Sequence, residues 1–209
     1  MEGNHISVTI DTKRKGRPRE FDEVAALDAA MQVFWIKGYD GASMKDLTKA
    51  MGINSPSLYA GFGDKRELYL KAIEHYTENY TSKSMRDFEE EEDIEKAVRS
   101  YLLGAIERGT MPDPIAKGCF LASSVATSSG EVEGAKELLL VAINDTDHKF
   151  ELRFEAAKKQ GALPADFPSK SRAHLLSDLR LGHAFRARAG ADKETLTAEV
   201  DQQVRSVLA

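Results

Sequence analysis

One cysteine, no long apolar run and no strand-like alternation in a 209-residue chain together remove several classes of protein. A single thiol, Cys119, cannot close an internal disulfide or supply a multi-cysteine zinc site, and it suits a reducing compartment. The sequon Asn79-Tyr80-Thr81 is therefore expected to carry no glycan. The longest wholly apolar run, Leu138 to Ile143, is far too short to span a bilayer, and no charged start with an apolar core opens the chain. A cytoplasmic protein without membrane partners is the expectation. No nucleophile elbow, phosphate loop or zinc signature is present, so Cys119, Ser123 and the histidines lack a motif for an enzyme, and no catalytic residue is assigned. His174 and His183 are nine apart, off the i, i+4 spacing of a helical metal pair. The acidic run Glu89 to Asp93 points its carboxylates in different directions on a helix. Neither group suggests a metal, and no cofactor is implied.

With 42% hydrophobic and 30% charged residues the chain has the composition of a globular protein able to bury a core. Its net charge of −5 argues against nucleic acid until the distribution is considered. Lys13, Arg14, Lys15, Arg17 and Arg19 gather five positive charges in seven residues with no acid among them. Phosphate attraction is local, so residues 1–19 form a candidate arm for the backbone or minor groove of DNA, or else a solvated tail.

The segment after the arm carries the strongest pattern. Asp22 is placed to cap a helix with Val24, Leu27, Met31, Phe34 and Trp35 as its apolar stripe and Gly38 as its end. Ser43 is placed to cap a second helix, with Asp46 at the reciprocal capping-box position. Met44, Leu47 and Met51 give that helix one buried stripe and leave Lys45 and Lys49 in solvent. Gly52 stops it, and Asn54 caps a third helix of about two turns with Pro56 in its first turn. Leu58 and Phe62 face inward there, leaving Ser55, Ser57 and Tyr59 exposed. Asp64 and Glu67 form another capping box, with Lys65 in the first turn of a fourth helix through Leu68, Ala72, Ile73 and Tyr76. A short exposed helix after a glycine turn suits the DNA major groove, although the spacing alone also fits other helical bundles.

Beyond it, Ile94, Ala97, Val98, Tyr101, Leu102, Ala105 and Ile106 repeat at helical period, and Met111-Pro-Asp-Pro114 breaks the chain. Further helices are read over Cys119 to Thr127, Val132 to Gly161, Ser169 to Ala189 and Asp192 to Leu208. The whole is predicted to be all-α with about nine helices. Residues 20–68 form a helix-turn-helix unit and 69–209 a larger helical part.

Gly38-Tyr-Asp-Gly-Ala-Ser43, Gly52-Ile-Asn54 and Leu58-Tyr-Ala-Gly-Phe62 with Lys65 and Leu68 resemble the DNA-binding domain of the tetracycline-repressor (TetR) family of bacterial regulators. The likeness runs from about Arg17 to Tyr69. It extends more weakly to Gly118-Cys-Phe-Leu121 and to Arg180 through Asp192. The resemblance implies that Ser55, Pro56 and Ser57 open the recognition helix and that Tyr59, Lys65 and Ser43 touch phosphates. Many members carry a larger residue where this chain has Gly61. The recognition helix has no Arg, Lys, Asn or Gln beyond its Asn54 cap, so bidentate base readout is not available from it.

The resemblance also implies a repressor released from a palindromic operator in double-stranded DNA by a small effector held in the larger domain. Tyr101, Leu102, Phe120 and Phe150 are the candidate lining for an apolar or aromatic ligand. Leu175, Leu176, Leu179 and Phe185 on the penultimate helix, with Leu196, Val200 and Val204 on the last, are the candidate homodimer faces, or else close the monomer's own core. Two alternatives stay open: a regulator without a ligand, and one that senses redox state through Cys119.

Overall fold

The computed structural model describes residues 21–111 and 118–209, so the basic arm Lys13, Arg14, Lys15, Arg17 and Arg19 lies outside the described residues. Among those residues there are helices and no strand. In order they are α1 (Glu23–Gly41), α2 (Met44–Met51), α3 (Ser55–Phe62), α4 (Lys65–Asn79), α5 (Ser82–Glu90) and α6 (Ile94–Gly109). A π-helical turn, Leu121–Val125, runs into α7 (Ala126–Ser128), followed by α8 (Ala135–Lys159), α9 (Ser169–Arg188), α10 (Lys193–Thr197) and α11 (Val200–Leu208). The helical stretches read from sequence are all present. One further short helix, α5, follows α4, and the last stretch is broken into α10 and α11.

Local chemistry accounts for the boundaries. Asp22 accepts the N–H groups of Val24 and Ala25 at the head of α1. Gly38 takes φ 74°, a backbone state that disfavours side chains, so regular helix ends there although hydrogen bonding carries on to Gly41. Val24 is 62% exposed, a correction to the predicted stripe; the inward face of α1 is Ala26, Ala30, Met31, Phe34 and Trp35. The acidic run ends α5 with Glu89 and Glu90 and then turns towards α6, Arg153 donating to the carbonyl oxygens of Glu91 and Glu92 at 2.6 and 3.1 Å. Asp93 caps α6 through the N–H groups of Glu95 and Lys96.

Two apolar clusters hold the fold. The first unites α1 to α4 with Cys119, Phe120, Leu121, Val125, Val132, Ala135 and Ala184. Packing is therefore continuous across residue 68, where the sequence suggests a division. The second joins Met85 and Phe88 of α5, the inner face of α6, Phe150 and Phe154 of α8, Leu176 of α9, and Leu196, Val200, Val204 and Val207 of the last two helices. Burial of these side chains supplies most of the driving force for the larger part, at about 1.5–3 kcal/mol for each fully buried large apolar group.

This second cluster corrects the expected dimer faces. Leu176, Leu196, Val200 and Val204 are buried within the chain, and Leu175 and Leu179 are half-buried against the same core. The apolar side of α10 and α11 is used up by α6 and α9. Of the seven residues, Phe185 alone stands out, at 74% exposed. The exposed apolar surface instead continues onto α8, through Leu140, Val141 (65%) and Leu152 (55%). Asp147 meets Ser177 and His174, and Glu155 shares a groove with Ser169, so α8 and α9 run antiparallel. That register sets Val141 beside the Phe185 end of α9.

Candidate nucleic-acid interface and adjoining cavity

The reading pair is built by reciprocal caps. At α2 the Asp46 N–H donates to Ser43 Oγ at 3.1 Å, while the Ser43 N–H and hydroxyl donate to Asp46 Oδ2 at 3.1 and 2.7 Å. Lys37 reaches the other carboxylate oxygen at 2.7 Å. The Lys37 ammonium, with the Ser43 hydroxyl and N–H, holds the Asp46 carboxyl well below the usual carboxylate range. Ser43 is thus engaged by Asp46 as the expected cap while remaining exposed at the head of α2.

Gly52 closes α2 at φ 65° and ψ 24°, the left-handed geometry that the turn needs. Asn54 then accepts the Ser57 N–H at 2.8 Å and starts α3. Leu58 and Phe62 are buried under α3, while Ser55 and Pro56 are exposed, Ser57 is half-exposed and Tyr59 is 54% exposed. The structure thus brings four of the predicted residues onto one short solvent-facing helix. Lys45 is exposed on α2. Lys65, at the head of α4, sits over the Tyr39 ring, its ammonium 4.5 Å from the centroid, which steadies it there. A Cβ at Gly61 would lie 3.3 Å from the ring of Phe21, so the missing side chain leaves room for that ring beside Phe62.

The reading pair is tied to the rest of the chain through α4. Tyr69 Oη is hydrogen-bonded to Ser124 Oγ and Ser128 Oγ at 3.1 and 2.8 Å, and Ser124 Oγ donates to the Phe34 carbonyl at 3.1 Å. Arg66 donates to the Glu133 carbonyl before α8.

Where the two clusters meet there is a cavity of about 150 Å³. Its walls are Trp35 of α1, Tyr76 and Tyr80 of α4, Tyr101, Ala105 and Arg108 of α6, and Cys119, Arg180 and Ala184, with Thr81, Met111 and Gly118. The Tyr76 hydroxyl lies 3.4 Å from Cys119 Sγ, and burial pushes the Tyr76 phenol well up. An adjoining, more polar opening of about 250 Å³ shares Thr81, Tyr101 and Arg180.

Of the predicted lining, Tyr101 is in this wall. Leu102, Phe120 and Phe150 are not: each is fully buried, Phe120 among Trp35, Tyr69 and Tyr76, Phe150 among Phe88 and Tyr101, and Leu102 in the second cluster. They are packed too tightly to meet a ligand. Arg108 and Arg180 escaped the sequence reading, yet a signal existed. Ala173, Leu176, Arg180, Ala184 and Ala187 fall at the three-to-four spacing of one inward face, so Arg180 interrupts an otherwise small and apolar stripe.

The family model for bacterial regulatory proteins of the tetR family matches residues 26–72, the brace and the reading pair. The repressor ComR of Escherichia coli K12 is 31% identical over 188 residues, covering 88% of each chain. The chain belongs to the TetR family. The regulator YezE of Bacillus subtilis 168 is also 31% identical, over 89% of this TetR-family chain and 96% of its own. Among solved structures, the TetR-family regulator CifR in complex with a 26-base-pair operator duplex superposes with a TM-score of 0.83 at 31% identity, covering 91% of this chain and 99% of CifR. The family consists of DNA-binding transcriptional regulators and not of enzymes. No helix among the described residues of this TetR-family chain is long and apolar enough to cross a membrane.

Proposed function

We propose that this regulator is a repressor that binds a palindromic operator as a homodimer and leaves it when a small molecule fills the cavity. One observation carries the reading: Trp35 belongs both to the helix that braces α2 and α3 and to the cavity wall. A change in the cavity thereby has a short packed route to the reading helix, and the two ligands share one population shift. Ser55, Pro56, Ser57 and Tyr59 on α3, with Lys45 on α2 and Lys65 on α4, would face the duplex. Leu140, Val141, Leu152 and Phe185 on α8 and α9 would pair with their copies. The repressor assignment is supported by the named role of ComR, and the duplex by CifR bound to its operator.

The test is selection of duplexes from a random pool by the full chain, followed by fluorescence anisotropy on the winning sequence. No selected sequence, or equal affinity of a Ser57→Glu variant, overturns the DNA limb. Ala105→Phe, which fills the cavity, is expected to weaken operator binding by roughly 5–150-fold, the usual range of such coupling. An unchanged affinity removes the effector limb.

A second reading rests on Cys119, whose sulfur is in the same wall. Modification of the thiol would introduce bulk or polarity where a ligand would sit. Alkylation by N-ethylmaleimide that leaves operator affinity intact, in a protein shown by mass to be modified, ends that reading.

A further inference from the structure

The cavity has an unusual electrical character for so apolar a space. Arg180 and Arg108 both line it, and neither has a carboxylate within ion-pair distance among the described residues. Arg108 donates to Ser84 Oγ, a neutral partner. On the cavity side Arg180 faces the Tyr101 and Tyr76 phenols, both pushed up by burial, and the Cys119 thiol; burial works against its charge, and these neighbours more than offset it, so the guanidinium is held protonated. Arginine cannot shed its proton to escape that cost, so a guanidinium held in this wall without a carboxylate partner favours an anion beside it. Two N–H donors on lining side chains, Arg180 Nε and Trp35 Nε1, are buried without any acceptor. An orphan donor of this kind costs about 1–3 kcal/mol. On the cavity side these donors lack acceptor oxygens and negative charge, the carboxylates of Glu78 and Asp145 lining the adjoining opening instead.

The rest of the wall is flat and aromatic. Tyr76 packs against both Trp35 and Tyr80, and Tyr101 comes from α6. An apolar cavity near 150 Å³ is the size that holds a benzene ring. We infer that the effector is a small organic monoanion of single-ring size, its carboxylate on Arg180 with Arg108 beside it and its ring against Trp35, Tyr76 and Tyr101. This rests on the cavity being the effector site and adds the chemical class that the site selects. A carboxylate also offers the two acceptor oxygens that a guanidinium fork matches.

Trp35 is the only tryptophan in the chain, so its emission reports occupancy directly. The probes are benzoate and its neutral counterpart benzamide, titrated at pH 7 into the full chain, with operator anisotropy read in parallel. Benzoate is expected to quench Trp35 saturably with at least about tenfold preference over benzamide, a step of about 1.4 kcal/mol. In Arg180→Gln, checked for an unchanged melting temperature, the preference is expected to vanish, and in Arg108→Gln to shrink. Equal quenching by the two probes, or a preference that survives Arg180→Gln, overturns the inference and leaves the cavity reading standing. Absence of quenching by either, up to the order of 10 mM where single-ring ligands still bind, also overturns it. In that event Ala105→Phe still tests the cavity on its own. Preferential quenching without loss of operator anisotropy upholds the anion site and sinks the effector role instead.

Discussion

Trp35 and Tyr76 meet edge to face, with ring centroids 5.3 Å apart and planes at 87°. The first ring comes from the helix that supports α2 and α3, the second from the helix that leaves the reading pair, and both line the cavity. The contact therefore joins the two helices that flank the reading pair. Trp35→Ala is expected to remove about 3–5 kcal/mol of stability, as other buried aromatic truncations do. Urea unfolding followed by circular dichroism measures it. A loss under 1 kcal/mol would show that the contact contributes little packing.

The hydroxyl of Tyr69 makes a finer link between the same parts. Ser124 and Ser128 also donate to the carbonyls of Phe34 and Ser124, so their own protons stay satisfied when the phenol is removed. Tyr69→Phe is therefore expected to cost only about 1 kcal/mol, the net value of a hydrogen bond, and not the larger penalty of an orphaned group. Urea midpoints check the number. Operator affinity should fall if this link holds α4 in register.

Much of this was readable in the residues because caps and turns are local. Ser43 with Asp46, Gly52, Asn54, and Asp64 with Glu67 each declare a helix end within four residues, and the structure has each one. The cavity and the apolar outer face were not readable in that way. Phe120 and Phe150 look like ligand-facing aromatics until long-range packing encloses them, and Leu196, Val200 and Val204 look unpartnered until α6 and α9 cover them. Arg180 gained its meaning only when α1, α4 and α6 were brought around it.

Phe185 and Val141 lie on the outer side of α9 and α8 and have little to do in a monomer. Phe185→Asp is expected to leave monomer stability within about 0.5 kcal/mol, as exposed substitutions do, while placing a charge in any interface built there. Light scattering should report the wild-type chain as a dimer and the variant as a monomer, with operator affinity lost together with the dimer. A variant that stays dimeric would exclude this face.

Asp46 gives the reading pair a defined pH response. Its carboxyl is held below the ordinary aspartate value of 3.8, first by Lys37 and then by Ser43. A lowered folded value means a stabilising contribution that is complete above the ordinary value and lost as pH falls through the folded one. The gap in urea midpoint between wild type and Asp46→Asn should thus be constant above about pH 5 and narrow only below 3.8. A gap that closes between pH 7 and 5 would assign it to another group.

The α3 surface offers hydroxyls and one phenol but no strong base-reading side chain, so phosphate contacts must supply much of the affinity. Each neutralised phosphate adds about 0.9 to the slope of log affinity against log salt. Lys65→Gln should flatten that slope by about one contact, since its ammonium is already steadied over Tyr39. Deleting residues 1–19 removes Lys13, Arg14, Lys15, Arg17 and Arg19 together, and should flatten it by up to about four to five units if all five reach phosphates. Affinity should fall most at low salt, where counterion release is worth most. Equal affinities for the shortened and full chains at two salt concentrations would make the arm a solvated tail, and Lys45, Tyr59 and Lys65 would then have to supply the phosphate contacts that the hydroxyl-rich α3 surface depends on.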